Sequence, residues 1–231
     1  MPNRESLVVS ECYGPTWQGE GPSLGRRTAI LRLGRCNLAC RFCDTAFTWD
    51  WERFDPAVEL HEASVDQVVE ALDAIAVDMV EVTGGEPLLQ QRPLEALLHV
   101  IKGRGWRVET ETAGTIAPAM ADGLVDQWNV SPKLANSGNP LERRYKPEVL
   151  RAFEATGRAA FKFVACVPAD LDEVDGLVDE CGLTNVWIMP EGTDGPTIIR
   201  RSAALASDVL ERGWNLSTRL HILLWGDRRG V

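Results

Sequence analysis

Three of the chain's six cysteines lie within eight residues, at Cys36, Cys40 and Cys43. They follow an apolar, β-branched segment at 29–33, so the three thiols are predicted to share one loop at the end of a strand. A structural zinc site usually has four ligands, often as two pairs, and the nearest histidine, His61, comes 18 residues after the last of these cysteines. Three thiolates at a C-x3-C-x2-C spacing instead favour an iron–sulfur cube that leaves one iron without a protein ligand.

A second motif, Thr83-Gly84-Gly85-Glu86-Pro87, directly follows another predicted strand at 79–83. Two successive glycines let backbone groups approach a neighbour without a side chain between them. A Gly-Gly pair is also ordinary loop punctuation. The motif is therefore informative mainly through its position, about 40 residues after the cysteines.

The two motifs together resemble the radical S-adenosylmethionine superfamily, whose cysteine motif has an aromatic residue before the last cysteine, here Phe42. The resemblance implies a [4Fe–4S] cluster on the three cysteines and S-adenosylmethionine bound to the open iron through its amino and carboxylate groups. By the same resemblance, the residues that contact this cofactor are Phe42, Gly84, Gly85, Glu111, Ser131 and Lys133.

A longer resemblance, from Glu11 to the last residue, is to the 7-carboxy-7-deazaguanine synthase family. Its most specific parts are the two ends: the segment 11–22, with the sequence ECYGPTWQGEGP, and the tail 221–231. The sequence departs from the family's pattern at Ala113, where an asparagine is expected, so no side-chain contact is expected there. Between the ends, the matching positions are Arg32, Cys43-Asp44-Thr45, Glu111, and Ser131-Pro132-Lys133.

This second resemblance implies that the substrate is 6-carboxy-5,6,7,8-tetrahydropterin. An amide and a carboxylate, at Gln18 and Glu20, can match the donors and acceptors of the pterin edge, and Arg32 offers a fork for the substrate carboxylate. Without the resemblance, Gln18 and Glu20 would suit a turn between glycines, and His221 would suit a core position. The substrate-binding residues it implies are Gln18, Glu20, Arg32, Thr83, His221 and Val231.

The resemblance also implies a Mg²⁺ ion bound by Thr45 and by oxygens of the substrate. Magnesium keeps several waters and needs few protein ligands, so a single hydroxyl is a reasonable protein contribution. Asp44-Thr45 is also typical of a helix cap. Both interpretations are compatible, with Asp44 capping a helix and Thr45 binding the ion.

The implied reaction begins with hydrogen abstraction at C6 of the pterin, followed by ring contraction, return of the hydrogen atom and loss of ammonia. S-adenosylmethionine is then regenerated, and the implied partner is an electron donor such as flavodoxin or ferredoxin.

Two alternatives stay open: a glycyl-radical-activating enzyme of the same superfamily, and a metal-binding module without turnover. The sequence assigns no role to Trp49, Trp51, Cys12, Cys166 or Cys181, and the scattered cysteines suit small buried hydrophobic positions.

The elements that must position these residues alternate between strands and helices. Such alternation indicates an α/β fold with a parallel sheet, open or closed, and reactive groups at the carboxyl ends of its strands. The superfamily resemblance specifies a partial (β/α) barrel. Strands are predicted at 29–33, 79–83, 107–110, 128–130, 161–164, 186–189 and 220–224. Helices are predicted at 64–76 with a Ser64–Gln67 capping box, at 94–101 ending at Gly103, at 147–157, at 171–178 ending at Gly182, and at 198–210.

Composition limits the function classes. The 231 residues carry a net charge of −10, which disfavours binding to a nucleic-acid backbone, and 45% hydrophobic residues without a flexible linker suggest one domain over 1–231. No apolar run approaches the roughly 18 residues of a membrane span, and the first residues do not resemble an export signal. We therefore expect a cytoplasmic chain with reduced thiols. Eight tryptophans against two tyrosines, together with the family resemblance, predict a homodimer.

Overall fold

The computed structural model describes residues 6–231, so the first five residues, which the sequence analysis compared with an export signal, lie outside the described residues. A nine-stranded sheet forms the centre of the fold. Its strands are β1 (Ser6–Trp17), β2 (Arg27–Leu33), β3 (His61–Ser64), β4 (Met79–Gly84), β5 (Arg107–Thr112), β6 (Gln127–Val130), β7 (Ala159–Ala165), β8 (Val186–Pro190) and β9 (Asn215–Leu216).

The strand order is β3-β1-β2-β4-β5-β6-β7-β8-β9. The seven strands from β2 to β9 run parallel, which confirms the predicted parallel sheet. At one edge, β1 pairs antiparallel with both β2 and β3, an arrangement that the sequence did not predict. Among the described residues, β3 and β9 do not pair with each other, so the sheet is a partial rather than a closed barrel.

Helices cover the outer face of the sheet. The predicted capping box is present at α2, where Ser64 accepts from the backbone of Gln67 and the Gln67 side chain accepts from the backbone of Ser64. None of the helices within residues 6–231 is both long and apolar enough to cross a bilayer. The helices are α1 (Pro56–Glu59), α2 (Val65–Ile75), α3 (Gln91–Gly103), α4 (Leu141–Arg144), α5 (Pro147–Glu154), α6 (Asp170–Cys181), α7 (Gly195–Glu211) and α8 (Leu220–Trp225).

Two local predictions are wrong. The segment 220–224 is not a strand but lies in α8, because a short apolar run fits a helix as well as a strand and only Ile222 is buried there. The helix predicted to end at Gly103 does end there, but Gly103 is its last helical residue and not the C′ glycine that the sequence predicted; the left-handed glycine beyond it is Gly105, with φ of 77°. By contrast, Gly182 caps α6 in the left-handed conformation, as predicted.

The two faces of the parallel strands have opposite chemistry. In β4, Val80 and Val82 are fully buried in the apolar core beneath the helices, whereas Glu81 and Thr83 face the concave side of the sheet. Because side chains alternate along a strand, every second residue of each parallel strand faces this concave side. The fold therefore places a row of polar side chains inside the barrel and an apolar layer outside it.

Candidate active site

The concave side of the sheet encloses a cavity of about 250 Å³. It opens where β2, β4, β5 and β6 reach their carboxyl ends, which is where ligands bind in parallel α/β sheets. Every site residue expected from the sequence lines this one cavity: Gln18, Glu20, Arg32, Cys36, Cys40, Phe42, Cys43, Thr45, Thr83, Gly84, Gly85, Glu111, Ser131, Lys133, His221 and Val231. Side chains separated by up to 213 positions are thus brought to one place.

The Gly-Gly turn begins at Gly84, the last residue of β4, and packs against the start of the cysteine loop. Gly84 has φ of 143°, and a Cβ atom there would lie 2.1 Å from the carbonyl oxygen of Leu33. A Cβ atom on Gly85 would lie 1.9 Å from the carbonyl oxygen of Arg35. Both glycines are therefore required by the close approach of the two backbones, and their own backbone atoms line the cavity.

Glu86 joins this turn to the end of β5. Its buried carboxylate accepts hydrogen bonds from the Thr112 hydroxyl at 2.8 Å, the Ala113 amide at 2.8 Å and the Leu88 amide at 3.0 Å. Burial raises the pKa of Glu86, while these donors act in the opposite direction. The backbone of Ala113 thus has a partner in the motif, although its side chain offers no polar contact.

A network of ion pairs borders the cavity, and its two cations are buried. Lys162, on β7, pairs with Glu20 and lies 2.8 Å from Glu111, and Arg219 contacts Glu20 at 3.0 Å and also pairs with Asp44. Burial alone would raise the pKa of Glu20, but the positive charges of Lys162 and Arg219 outweigh it and hold the pKa well below its usual range. Glu20 thus lies in the loop between β1 and β2, as the turn interpretation expects, and its carboxylate is also held by two cations.

Deeper in the barrel, the side chain of Gln18 contacts a second carboxylate, that of Glu81. Its amide nitrogen donates to Glu81 at 2.8 Å, while its oxygen accepts from the backbone amide of Glu20 at 3.2 Å. Burial raises the pKa of Glu81 well above the usual range, and the negative charges of Glu109 and Glu111 raise it further. The two hydrogen bonds fix which end of the Gln18 amide points to each partner.

Arg32 connects the cavity to the C-terminal tail. Its Nε donates to Glu11 at 2.8 Å, and the other oxygen of Glu11 accepts from Arg229 at 3.0 Å. The guanidinium carbon of Arg229 lies 3.7 Å from the centre of the Phe47 ring, a cation–π contact. These contacts anchor the tail so that Val231 reaches the cavity. Among residues 6–231, Nη1 of Arg32 has no hydrogen-bond partner.

His221 lies at the first turn of α8 and packs on the loop between β1 and β2. A Cβ atom on Gly19 would lie 2.1 Å from Nδ1 of His221, so only glycine allows this contact. Burial lowers the pKa of His221. The side chain is thus a half-buried imidazole at the cavity wall, a position compatible with both interpretations given by the sequence.

The Asp44-Thr45 element differs from the sequence prediction. Thr45, not Asp44, is the N-cap of a short 3-10 helix at Ala46–Thr48, and no side chain caps it. Asp44 pairs instead with Arg219, because the fold brings that buried guanidinium within reach. The Thr45 hydroxyl remains at the cavity, 3.6 Å from the sulfur of Cys43.

The comparisons with known proteins agree with this geometry. Residues 30–167 match the Radical SAM superfamily, which is more than half of the chain. A 7-carboxy-7-deazaguanine synthase from Pyrobaculum aerophilum is 35% identical over 218 residues, covering 92% of both chains. The chain belongs to the 7-carboxy-7-deazaguanine synthase family. Another such synthase, from Hyperthermus butylicus, is 34% identical over 216 residues, covering 90% of this chain and 88% of the relative.

A solved structure supports the fold assignment. The crystal structure of QueE from Escherichia coli superimposes with a TM-score of 0.72 at 22% identity and covers 94% of this chain and 95% of its own. As a radical S-adenosylmethionine lyase of the 7-carboxy-7-deazaguanine synthase family, the chain uses a [4Fe–4S] cluster, S-adenosylmethionine and Mg²⁺. The predicted α/β partial barrel of the radical S-adenosylmethionine type is confirmed.

The cavity of this synthase-family chain fits those groups. The three thiols line one wall, and in a [4Fe–4S] cube each cysteine binds a different iron, so the sulfurs do not need to converge on one point. Burial raises the pKa of Cys36 to about 12, so its thiolate form requires a cation such as iron beside it. Lys133 donates to the backbone oxygen and hydroxyl of Ser131, at 2.7 and 2.8 Å, which orients both polar groups at the cavity.

Sequence reasoning missed four of the residues that shape the cavity in this family member: Asp44 in its ion pair, Glu81, Lys162 and Arg219. A lysine inside an apolar strand was a usable signal for Lys162, because lysine is almost never fully buried without a partner.

The remaining cysteines do not line the cavity. Cys181 is buried, as expected, whereas Cys12 and Cys166 are only half-buried, with Cys12 packed against the core.

Proposed function

We propose that this chain converts 6-carboxy-5,6,7,8-tetrahydropterin to 7-carboxy-7-deazaguanine with release of ammonia, using the residues of the cavity described above. The observation that carries this proposal is the convergence of three thiols, a Gly-Gly turn and a polar pocket in one cavity of a chain of this family. The polar groups beside the thiols suit a small, hydrogen-bonding substrate. They are less suited to a flexible peptide, which a glycyl-radical-activating enzyme would have to admit.

The cluster and the cofactor would be held by separate parts of the wall. Cys36, Cys40 and Cys43 would bind three irons, and the backbone of Gly84 and Gly85 would receive the methionine amine. Phe42, Glu111, Ser131 and Lys133 would contact the rest of S-adenosylmethionine. When bound, these groups supply a 5′-deoxyadenosyl radical, and the protein contributes binding, orientation and exclusion of water.

The substrate would bind among Gln18, Glu20, Arg32, Thr83, His221 and Val231. Glu20 already accepts from two cations, but a carboxylate has about four lone-pair sites, so it can also accept from a pterin N–H. The Gln18 amide likewise keeps one N–H and one lone pair beyond its two internal contacts. The unpartnered Nη1 of Arg32 supports its proposed contact with the substrate carboxylate. The ion network thus orients the groups that bind substrate before it arrives.

Thr45 is the proposed protein ligand for Mg²⁺. Its hydroxyl lies at the cavity next to Cys43, and the neighbouring Asp44 is committed to Arg219. A hydroxyl is a weak ligand for magnesium on its own, so substrate oxygens and water would complete the octahedron. Magnesium binding at this site would therefore depend on substrate.

We also propose that a one-electron donor such as flavodoxin or ferredoxin docks beside the cysteine loop. The chain is proposed to work in the cytoplasm, where thiols stay reduced. Finally, we propose that the chain folds as one domain over 1–231. The single sheet from β3 to β9 supports the last point.

Product formation tests the proposed reaction. Reconstituted, reduced protein is incubated anaerobically with the carboxytetrahydropterin, S-adenosylmethionine and Mg²⁺, and the mixture is analysed by liquid chromatography and mass spectrometry. We expect 7-carboxy-7-deazaguanine over many turnovers and none from the Cys36→Ala variant. Protein that contains a full cluster but forms no such product would contradict the proposal.

A further inference from the structure

Each of the three thiols proposed to hold the cluster lies near an N–H donor. The backbone amide of Leu38 is 3.5 Å from the sulfur of Cys36. The side chains of Asn139 and Trp49 provide the other two donors, at 3.2 Å from Cys40 and 3.3 Å from Cys43. Asn139 is not part of the cysteine loop, and neither side chain is used by the proposed reaction described above.

Asn139 is held in one orientation. Its Oδ1 accepts from the backbone amide of Ala39 at 2.9 Å, so its Nδ2 must point towards Cys40. The residue is buried, and its loop is fixed to the cysteine loop by a further hydrogen bond, from the Arg41 amide to the Ser137 carbonyl at 3.0 Å. The donor is therefore built into the contact between two loops.

Trp49 donates from within the cysteine loop itself. Its indole N–H has no acceptor capacity, so the group can serve only as a donor to the sulfur. The loop is closed by a backbone hydrogen bond from Arg35 to Thr48 at 2.7 Å, which places the indole beside Cys43. By contrast, the neighbouring Trp51 is 41% exposed and does not line the cavity.

We propose that Asn139 and Trp49 are positioning residues that raise the reduction potential of the cluster. Reduction adds one electron from the one-electron donor to the [4Fe–4S]²⁺ state and gives [4Fe–4S]⁺, while the donor is oxidised by one electron. The added negative charge is shared with the cysteine sulfurs, so N–H donors to those sulfurs stabilise the reduced state more than the oxidised state. The inference rests on the proposed binding of the cluster by the three cysteines.

The test compares Trp49→Phe with Trp51→Phe, and Asn139→Ala with Asn136→Ala from the same loop. Iron content per chain is measured first. The midpoint potential of the cluster is then determined by titration with dithionite, and electron paramagnetic resonance monitors the amount of reduced cluster. We expect Trp49→Phe and Asn139→Ala to shift the midpoint to more negative values. The two control variants should keep the midpoint of the parent.

The outcomes separate this inference from the proposed function. If the parent binds no cluster, or keeps a full cluster after Cys40→Ala or Cys43→Ala, the proposed ligation fails. If Trp49→Phe binds a full cluster at an unchanged or less negative potential, this inference fails and the proposed function stands. Asn139→Ala also removes the acceptor for Ala39 and can lower iron content for that reason, so Trp49→Phe is the deciding variant.

Discussion

At the scale of single residues, the cavity contains carboxylates of opposite character. Glu81 is buried and accepts from the Gln18 side chain, whereas Glu20 is half-buried and its backbone amide donates to the same side chain. The positive charges of two cations hold the pKa of Glu20 low, whereas burial, together with the neighbouring carboxylates Glu109 and Glu111, raises the pKa of Glu81. A glutamate is thus held in its charged form at position 20, whereas at position 81 the surroundings favour its protonated form.

The raised pKa of Glu81 predicts a specific dependence of stability on pH. Above the ordinary value of 4.5, the unfolded state loses this proton while the folded state keeps it, so the free energy of unfolding falls as pH rises towards the folded-state pKa. Replacing Glu81 with Gln removes this contribution and should flatten the profile above pH 4.5. Anaerobic urea unfolding of parent and variant across pH 5–8 measures it, and parallel profiles would contradict the assignment.

The three clustered cysteines should be indispensable, unlike the other three. Cys36→Ala, Cys40→Ala and Cys43→Ala are each expected to abolish activity and to lower the iron content, because each thiolate is proposed to bind a different iron. Cys12→Ala, Cys166→Ala and Cys181→Ala should keep the cluster. Iron analysis of all six variants checks this, and full iron and full activity in any variant of the first group would overturn the assignment.

Thr45→Ala should separate magnesium binding from cluster binding. The hydroxyl is the only protein side chain proposed to contact the ion, so its loss should weaken the dependence of the rate on Mg²⁺ and slow turnover. The iron content should stay at the parental value. Superimposable magnesium titrations of variant and parent would show that Thr45 does not bind the ion.

At the scale of elements, the Gly-Gly turn holds the cysteine loop against the end of β2. Gly84→Ala would place a methyl group 2.1 Å from a backbone oxygen in a left-handed region, so the two strand ends must separate. We expect loss of the cluster and a stability loss of more than about 1 kcal/mol. Gly176→Ala, in α6, is the matched control because its Cβ would meet nothing within 4 Å.

That control should be neutral or gain up to about 1 kcal/mol, because alanine is the better helix former. Iron content and thermal unfolding of both variants provide the measurement. If Gly84→Ala kept a full cluster and the stability of Gly176→Ala, the proposed role of the turn would be wrong.

The sequence alone predicts those helices and strands whose apolar residues recur at a clear period. It does not predict the features that depend on tertiary contacts. Periodicity and caps located α2, α6 and six of the seven parallel strands, all but β9. The proposed cavity residues follow from the two motifs and the family resemblance, not from periodicity or spacing alone. The antiparallel β1 is not predictable in this way because its half-buried, Gly- and Pro-containing sequence has no clear alternation, and the short apolar run of α8 fits a strand as well as a helix. The ion network was missed because Lys162 and Arg219 find their partners only once distant strands meet.

At the scale of the whole molecule, several large apolar side chains are exposed, and aromatic side chains are enriched at protein–protein interfaces. Leu223 and Leu224 on α8 are 40% and 52% exposed, and Trp17 at the end of β1 is 45% exposed. We expect a homodimer, with a sedimentation mass of about twice 25.5 kDa at micromolar concentration. Leu224→Glu should weaken it, whereas Ile199→Glu, on α7, should not. A monomer at that concentration would contradict the prediction.

The most direct test of the proposed reaction uses substrate deuterated at C6. A ring contraction that regenerates S-adenosylmethionine must pass deuterium from the substrate into the 5′ position of the cofactor over many turnovers. Mass spectrometry of the recovered S-adenosylmethionine, alongside the 7-carboxy-7-deazaguanine formed, measures this transfer. We predict deuterium-labelled cofactor together with product. Stoichiometric release of 5′-deoxyadenosine, with no deuterium in the cofactor and no 7-carboxy-7-deazaguanine, would contradict the account.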